Sequence, residues 1–175
     1  MNRFPGTAIW AAVVSGVSVI CLTLVSSHGA AGEPGATAEG KDPLIERGRY
    51  ITLVSGCNDC HTEGFIETNG QIPESEWLMG SRLGWSGPWG TTYASNLRLF
   101  YRDMTEAQWL EIARRLESRP PMPWFTLREM TDEDLKAIYR FTRSLGDPGE
   151  PAPAWLPPGE KPEGPHFRLS GLPSE

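Results

Sequence analysis

The sequence predicts an all-α fold with long loops. Three capped, amphipathic segments predict helices. A glycine- and tryptophan-rich span between the first two carries no sustained hydrophobic period. A proline-rich end suits neither a long helix nor a central strand. The region from Asp42 to Gly146 holds 105 residues, which suits one domain.

The chain opens with Arg3 and then an uncharged, largely apolar run of 18 residues, Ala8 to Val25. Small residues follow, with Gly29-Ala30-Ala31 as a plausible cleavage site. A charged start, apolar core and small-residue exit describe a secretory signal. The run is also as long as a short membrane span. Residues 1–31 are therefore read as a signal peptide or an N-terminal membrane anchor, with membrane association through residues 8–25 in the second case. Either reading places the rest outside the cytoplasmic membrane, in the periplasm. Residues 32–41 read as a linker.

The first helix starts at Asp42, a good N-cap, with Pro43 in the first turn. Leu44, Ile45, Gly48 and Ile51 carry it forward, and Gly56 marks its end. From Thr62 to Asp103, six glycines and three tryptophans read as loops with one short helix. The second helix starts at Thr105, with Gln108 completing a capping box and Trp109, Ile112, Ala113 and Leu116 as the stripe. The third starts at Thr131, followed by three acids that suit a helix N-terminus. Leu135, Ile138, Tyr139 and Phe141 form its buried side, and Gly146 and Pro148 end it. Residues 147–175 contain eight prolines and read as an extended strap or a mobile end.

Chemistry concentrates at Cys57-Asn58-Asp59-Cys60-His61. C-x-x-C-H is the attachment pattern of a c-type haem. Each thiol adds across one vinyl group, and the histidine gives its nitrogen to the iron. A redox dithiol or a zinc site are the other readings of such a string. The only other cysteine, Cys21, lies in the apolar leader, so no second pair is available for zinc. The βαβ pattern of a thioredoxin-like motif is missing as well. One covalent haem c is therefore expected, on Cys57, Cys60 and His61.

The second axial ligand is expected to be Met122. Met104 and Met130 each precede a helix cap and face Trp109 and Leu135, so both read as hydrophobic staples. Met79 reads as ring packing, and His166 sits in the proline-rich tail. Met122 stands between Pro121 and Pro123, whose rings stiffen the backbone that would aim its sulfur. Trp85, Trp89 and Trp124 are expected to wall the haem. Tyr93 and Asn96 are candidate holders of its carboxylates. Arg98 is another, though it reads slightly better as a surface charge.

This arrangement resembles a class I c-type cytochrome. It is closest to bacterial monohaem cytochromes and the cytochrome c subunits of membrane dehydrogenases. The shared features are Cys57–His61, Gly90-Thr91-Thr92-Tyr93-Ala94-Ser95-Asn96, Pro120-Pro121-Met122-Pro123-Trp124 and the helix from Met130 to Tyr139. The resemblance covers about residues 44–145 and implies a small class I cytochrome c fold. It also makes the Pro73 carbonyl a candidate acceptor for the proximal imidazole, with a plain turn as the competing role. The threonine-proline-aspartate of the family is replaced here by Arg98-Leu99-Phe100.

The formal net charge is −6. An acidic chain is a poor partner for nucleic acid, and its redox partners should present basic patches. With iron held by His61 and Met122 no open position remains. The expectation is a non-enzymatic single-electron carrier, docking transiently between a dehydrogenase donor and an oxidase or cytochrome acceptor. The alternatives are an obligate dehydrogenase subunit, or a haem sensor or enzyme with a labile sixth ligand.

Overall fold

The computed structural model describes residues 42–170. The leader and the linker, Ala8–Val25 included, and residues 171–175 lie outside the described residues. Asp42 caps helix α1 (Pro43–Val54), its carboxylate accepting from the Leu44 amide at 2.9 Å. Gly56, at φ 69°, turns the chain out of α1 and into the short helix α2 (Cys57–His61). Only a residue tolerant of positive φ permits so abrupt a corner.

A mixed three-stranded sheet follows, which corrects the expectation of an all-α fold. Strands β1 (Gly84–Gly87) and β2 (Gly90–Tyr93) form a hairpin joined by Pro88-Trp89. The third strand, β3 (His166–Arg168), comes from the proline-rich tail and pairs parallel with β1, giving the order β2-β1-β3. Strands of three or four residues with glycine at their ends leave no alternation to read. Proline is tolerated at a strand start or sheet edge, and Pro165 stands just before β3.

Helix α3 (Leu97–Arg102) is the short helix expected in this span. Helix α4 (Glu106–Arg115) carries the Thr105/Gln108 capping box. Helix α5 (Phe125–Glu129) is one turn long. Helix α6 (Asp132–Ser144) starts at the Thr131 cap, whose hydroxyl accepts from the Asp134 amide at 3.1 Å. Gly146, at φ 84°, follows its C-terminus. Both stripes face inward. Trp109 donates through its indole to the Leu135 carbonyl at 2.9 Å, and Tyr101 stands edge-on to Trp109 at 4.8 Å.

Helix α1 lies directly on α6. A Cβ on Gly48 would meet the Ala137 carbonyl oxygen at 2.0 Å, so the crossing requires glycine. Ile51, Ala137 and Ile138 form the apolar seam. Arg47–Asp134 and Arg140–Asp42 pairs bracket it. Exposed pairs of this kind contribute about 0–1 kcal/mol each, so burial holds the crossing.

The tail is a strap. Leu156 and Thr91 exchange backbone hydrogen bonds of 2.8 and 3.0 Å. Trp155 donates to the Trp89 carbonyl at 2.9 Å, under the Arg119 guanidinium at 4.0 Å. Arg98 anchors its beginning and corrects the surface-charge reading. It is 5 % exposed and donates to the carbonyls of Trp77, Leu145, Asp147, Glu74 and Ser75. A planar fork with five donors suits such a site, and nothing is left for a cofactor carboxylate. Among the described residues no helix is long and apolar enough to cross a membrane.

Two substitutions check this packing. Gly48→Ala should lower stability by about 1–3 kcal/mol through overpacking, read as an earlier denaturation midpoint in urea. Arg98→Lys keeps the charge but not the fork. It should cost at least about 1–3 kcal/mol, the penalty of one buried carbonyl left unpaired.

Candidate cofactor cleft

Cys57, Cys60 and His61 sit at i, i+3 and i+4 on α2, one face of a single turn. That face opens on a largely apolar cleft, and all three residues line it. Tyr101, Trp109, Leu127 and Ile138 back the cleft, and Pro121-Met122-Pro123 enters from the loop after α4.

Buried hydrogen bonds hold α2 in place. Asn58, fully buried, accepts from the Thr62 hydroxyl at 2.7 Å, and that hydroxyl accepts from the Leu78 amide at 2.8 Å. The Gly80 amide donates to the His61 carbonyl at 2.8 Å.

His61 Nδ1 lies 2.7 Å from the Ser95 carbonyl oxygen. A carbonyl only accepts, so Nδ1 carries the proton and Nε2 keeps its lone pair. Burial lowers the imidazole pKa and outweighs the opposing Ser95 hydrogen bond. The ring is thereby held neutral, the form that ligates metals. The acceptor is not Pro73, whose carbonyl takes the Glu76 amide at 2.8 Å in a plain turn.

Burial pushes the Cys57 thiol up to about 11, reinforced by the charges of Asp59 and Cys60. Cys60 is raised for the same leading reason, with Asp59 adding to it. A reactive redox dithiol needs a depressed pKa, so this environment disfavours that role. Among the described residues no group of three or more His, Cys, Asp or Glu is placed to hold a metal ion, as a zinc reading would require.

Two methionines line the cleft, Met122 and Met130. Met130 also packs against the helix core, as a staple residue should. Met104 packs in that core beside Tyr101 and Trp109. Met79 turns toward the tail, its sulfur 3.1 Å from where a Cβ on Gly149 would lie. His166 is in β3.

Of the three tryptophans expected to wall the cleft, Trp85 does so. Trp89 packs under Gly87 and Trp124 lies against the Arg128 guanidinium at 4.4 Å. Tyr93 lines the cleft, but Asn96 faces away from it. Asn96 caps α3 by accepting from the Leu99 amide at 3.0 Å and donates to the carbonyls of Pro148 and Glu150. Trp85 and Thr92, paired across the hairpin, both line the cleft. The indole N–H and the hydroxyl are buried with no hydrogen-bond partner within the protein. Orphaned buried donors cost about 1–3 kcal/mol each, so a bound group bearing acceptors fits this wall.

Sequence reasoning missed Ser95 and Met130 as cleft residues. A backbone carbonyl carries no side-chain signal, and the staple pattern at Met130 hid its second exposure.

No protein-family profile matches the chain, and no solved structure matches it. It is 26% identical over 114 residues to the fructose dehydrogenase cytochrome subunit of Gluconobacter japonicus. The aligned region covers 59% of this chain and 22% of that protein, so the chain spans about a fifth of the length of this curated relative. The similarity points to a c-type cytochrome.

Proposed function

We propose that the chain is a periplasmic monohaem c-type cytochrome that carries single electrons and catalyses no bond chemistry. The observation that carries this reading is the convergence of Cys57, Cys60 and His61 on one apolar cleft that Met122 also enters. When bound, the haem would supply a one-electron iron centre. Cys57 and Cys60 would hold it through thioethers, and His61 and Met122 would ligate its iron.

Each side chain has a task the geometry supports. His61 offers Nε2 because Ser95 occupies Nδ1. Met122 reaches the cleft from a backbone that Pro121 and Pro123 stiffen. Trp85 and the apolar lining would exclude water from a bound haem, disfavouring the extra charge of ferric iron and so raising the potential. Trp85 and Thr92 would be free to donate to the carboxylates of a bound haem. The acidic surface, at −6 overall, favours redox partners with basic patches.

A second reading keeps the chemistry but makes the chain an obligate subunit of a dehydrogenase. The similarity to a dehydrogenase cytochrome subunit favours it. Co-purification of a stoichiometric dehydrogenase with the native protein separates the two.

Covalent attachment is tested by acid–organic extraction of the exported protein. One haem should stay with the polypeptide, and Cys57→Ala with Cys60→Ala should abolish that. Release of free haem from the unmodified chain would refute the proposal.

The axial assignment is tested by Met122→Ala. Attached haem should remain, while the weak far-red sulfur-to-iron band of the ferric state disappears. The potential should fall, and carbon monoxide or cyanide should bind. Met130→Leu should leave all of these unchanged. The reverse pattern would make Met130 the ligand. Ready carbon monoxide binding by the unmodified ferrous protein would replace the closed carrier with a sensor or enzyme site.

A further inference from the structure

The acceptor of the His61 proton sits in a segment clamped from two sides. On one side, the Ser81 amide donates to the Ala94 carbonyl at 3.1 Å and the Leu97 amide to the Leu78 carbonyl at 2.9 Å. On the other side stands the tail. Asn96 Nδ2 donates to the Pro148 carbonyl at 2.5 Å and the Glu150 carbonyl at 2.9 Å, while its Oδ1 accepts from the Leu99 amide. The packing around this knot is close. A Cβ on Gly80 would meet the Ala94 carbonyl oxygen and the Asn96 nitrogen at 2.9 Å and the Ala152 Cβ at 3.1 Å.

We propose that the C-terminal tail, through Asn96, aims the Ser95 carbonyl at His61 and thereby tunes the proximal ligand. This rests on the c-type cytochrome reading. The Ser95 carbonyl and the Asn96 amide belong to one peptide plane. The direction of that carbonyl is set by the rotation of the Asn96 backbone, and three hydrogen bonds on the Asn96 side chain restrain that rotation. Two of the three end on the tail, so Asn96 is a positioning residue that ties the tail to His61.

The consequence is electronic. A carbonyl accepting from Nδ1 raises the basicity of a ligating histidine. A more basic imidazole favours ferric over ferrous iron, so a slackened Ser95 contact should raise the reduction potential.

Asn96→Ser isolates the effect without adding a charge. Its hydroxyl oxygen keeps the cap for Leu99 but is too short to replace both amide donors to the tail. Asn96→Thr does the same. In the holoprotein, both variants should retain covalent haem and show a higher reduction potential. The shift should reach up to a tenfold change in the ferric-to-ferrous ratio, about 59 mV for one electron. The His61 Nδ1 proton of the ferrous state should also exchange with solvent faster, followed by NMR.

Trp155→Phe is the control. It removes the Trp155 hydrogen bond to Trp89 and loosens the tail away from Asn96. It should lower stability while leaving potential and ring-proton exchange unchanged. If both Asn96 variants keep the parental potential and exchange rate, or if Trp155→Phe shifts them equally, the tail is only structural and the proposal fails. An unmodified chain without covalent haem would overturn the cytochrome reading instead, a separable outcome.

Discussion

The hydrogen bond between His61 Nδ1 and the Ser95 carbonyl, 2.7 Å long, joins the two structural lineages of the domain. His61 is placed by helices: α1 fixes the corner at Gly56, and α2 follows from it. Ser95 is placed by the sheet: β2 delivers the chain to residue 94, and α3 takes it away after Asn96. The cleft exists because these paths meet at one imidazole. Moving either path by an ångström would break the bond and strand a buried donor, at about 1–3 kcal/mol. The sheet is therefore more than an ornament on a helical fold. It positions the acceptor and contributes Trp85, Thr92 and Tyr93 to the cleft wall.

What could be read from the sequence was local. Asp42, Thr105 with Gln108, and Thr131 all cap the helices they were expected to cap, because capping chemistry is complete within four residues. Cys57, Cys60 and His61 share a face for the same reason. What could not be read was long-range. β3 pairs with a strand about eighty positions upstream, and a three-residue run beside Pro165 gives no hint of that partner. Arg98 looked like any surface cation, since its five acceptors are backbone carbonyls drawn from two distant stretches. Ser95 was invisible because its contribution is also a carbonyl. Asn96, offered as a carboxylate holder, had the correct chemistry as a donor but the wrong recipient.

The two sides of the cleft are stiffened by different means. On the histidine side, buried hydrogen bonds among Asn58, Thr62 and Leu78 lock the helix to the following loop. On the methionine side, the restraint is covalent, in the rings of Pro121 and Pro123. The first kind fails when one partner is removed. The second survives most substitutions nearby, since a proline ring needs no partner to restrict φ.

The core itself is divided. One cluster gathers Tyr101, Trp109, Ala113, Leu127 and Leu135, a second Ile51, Ala137 and Ile138, and a third Trp77, Leu78 and Phe141. Tyr101, Trp109 and Leu127 from the first and Ile138 from the second line the cleft, and Cys57, packed on the third, lines it too. The cleft thus lies where the three clusters would otherwise merge. A flat apolar group seated there would join them into one core, and each Å² of apolar surface it covered would contribute about 25 cal/mol. Folding and cofactor occupancy are then the same equilibrium seen from two sides, because whatever binds only the folded chain stabilises it. On the proposed reading, the thiols of Cys57 and Cys60, which line the cleft, would make that occupancy permanent.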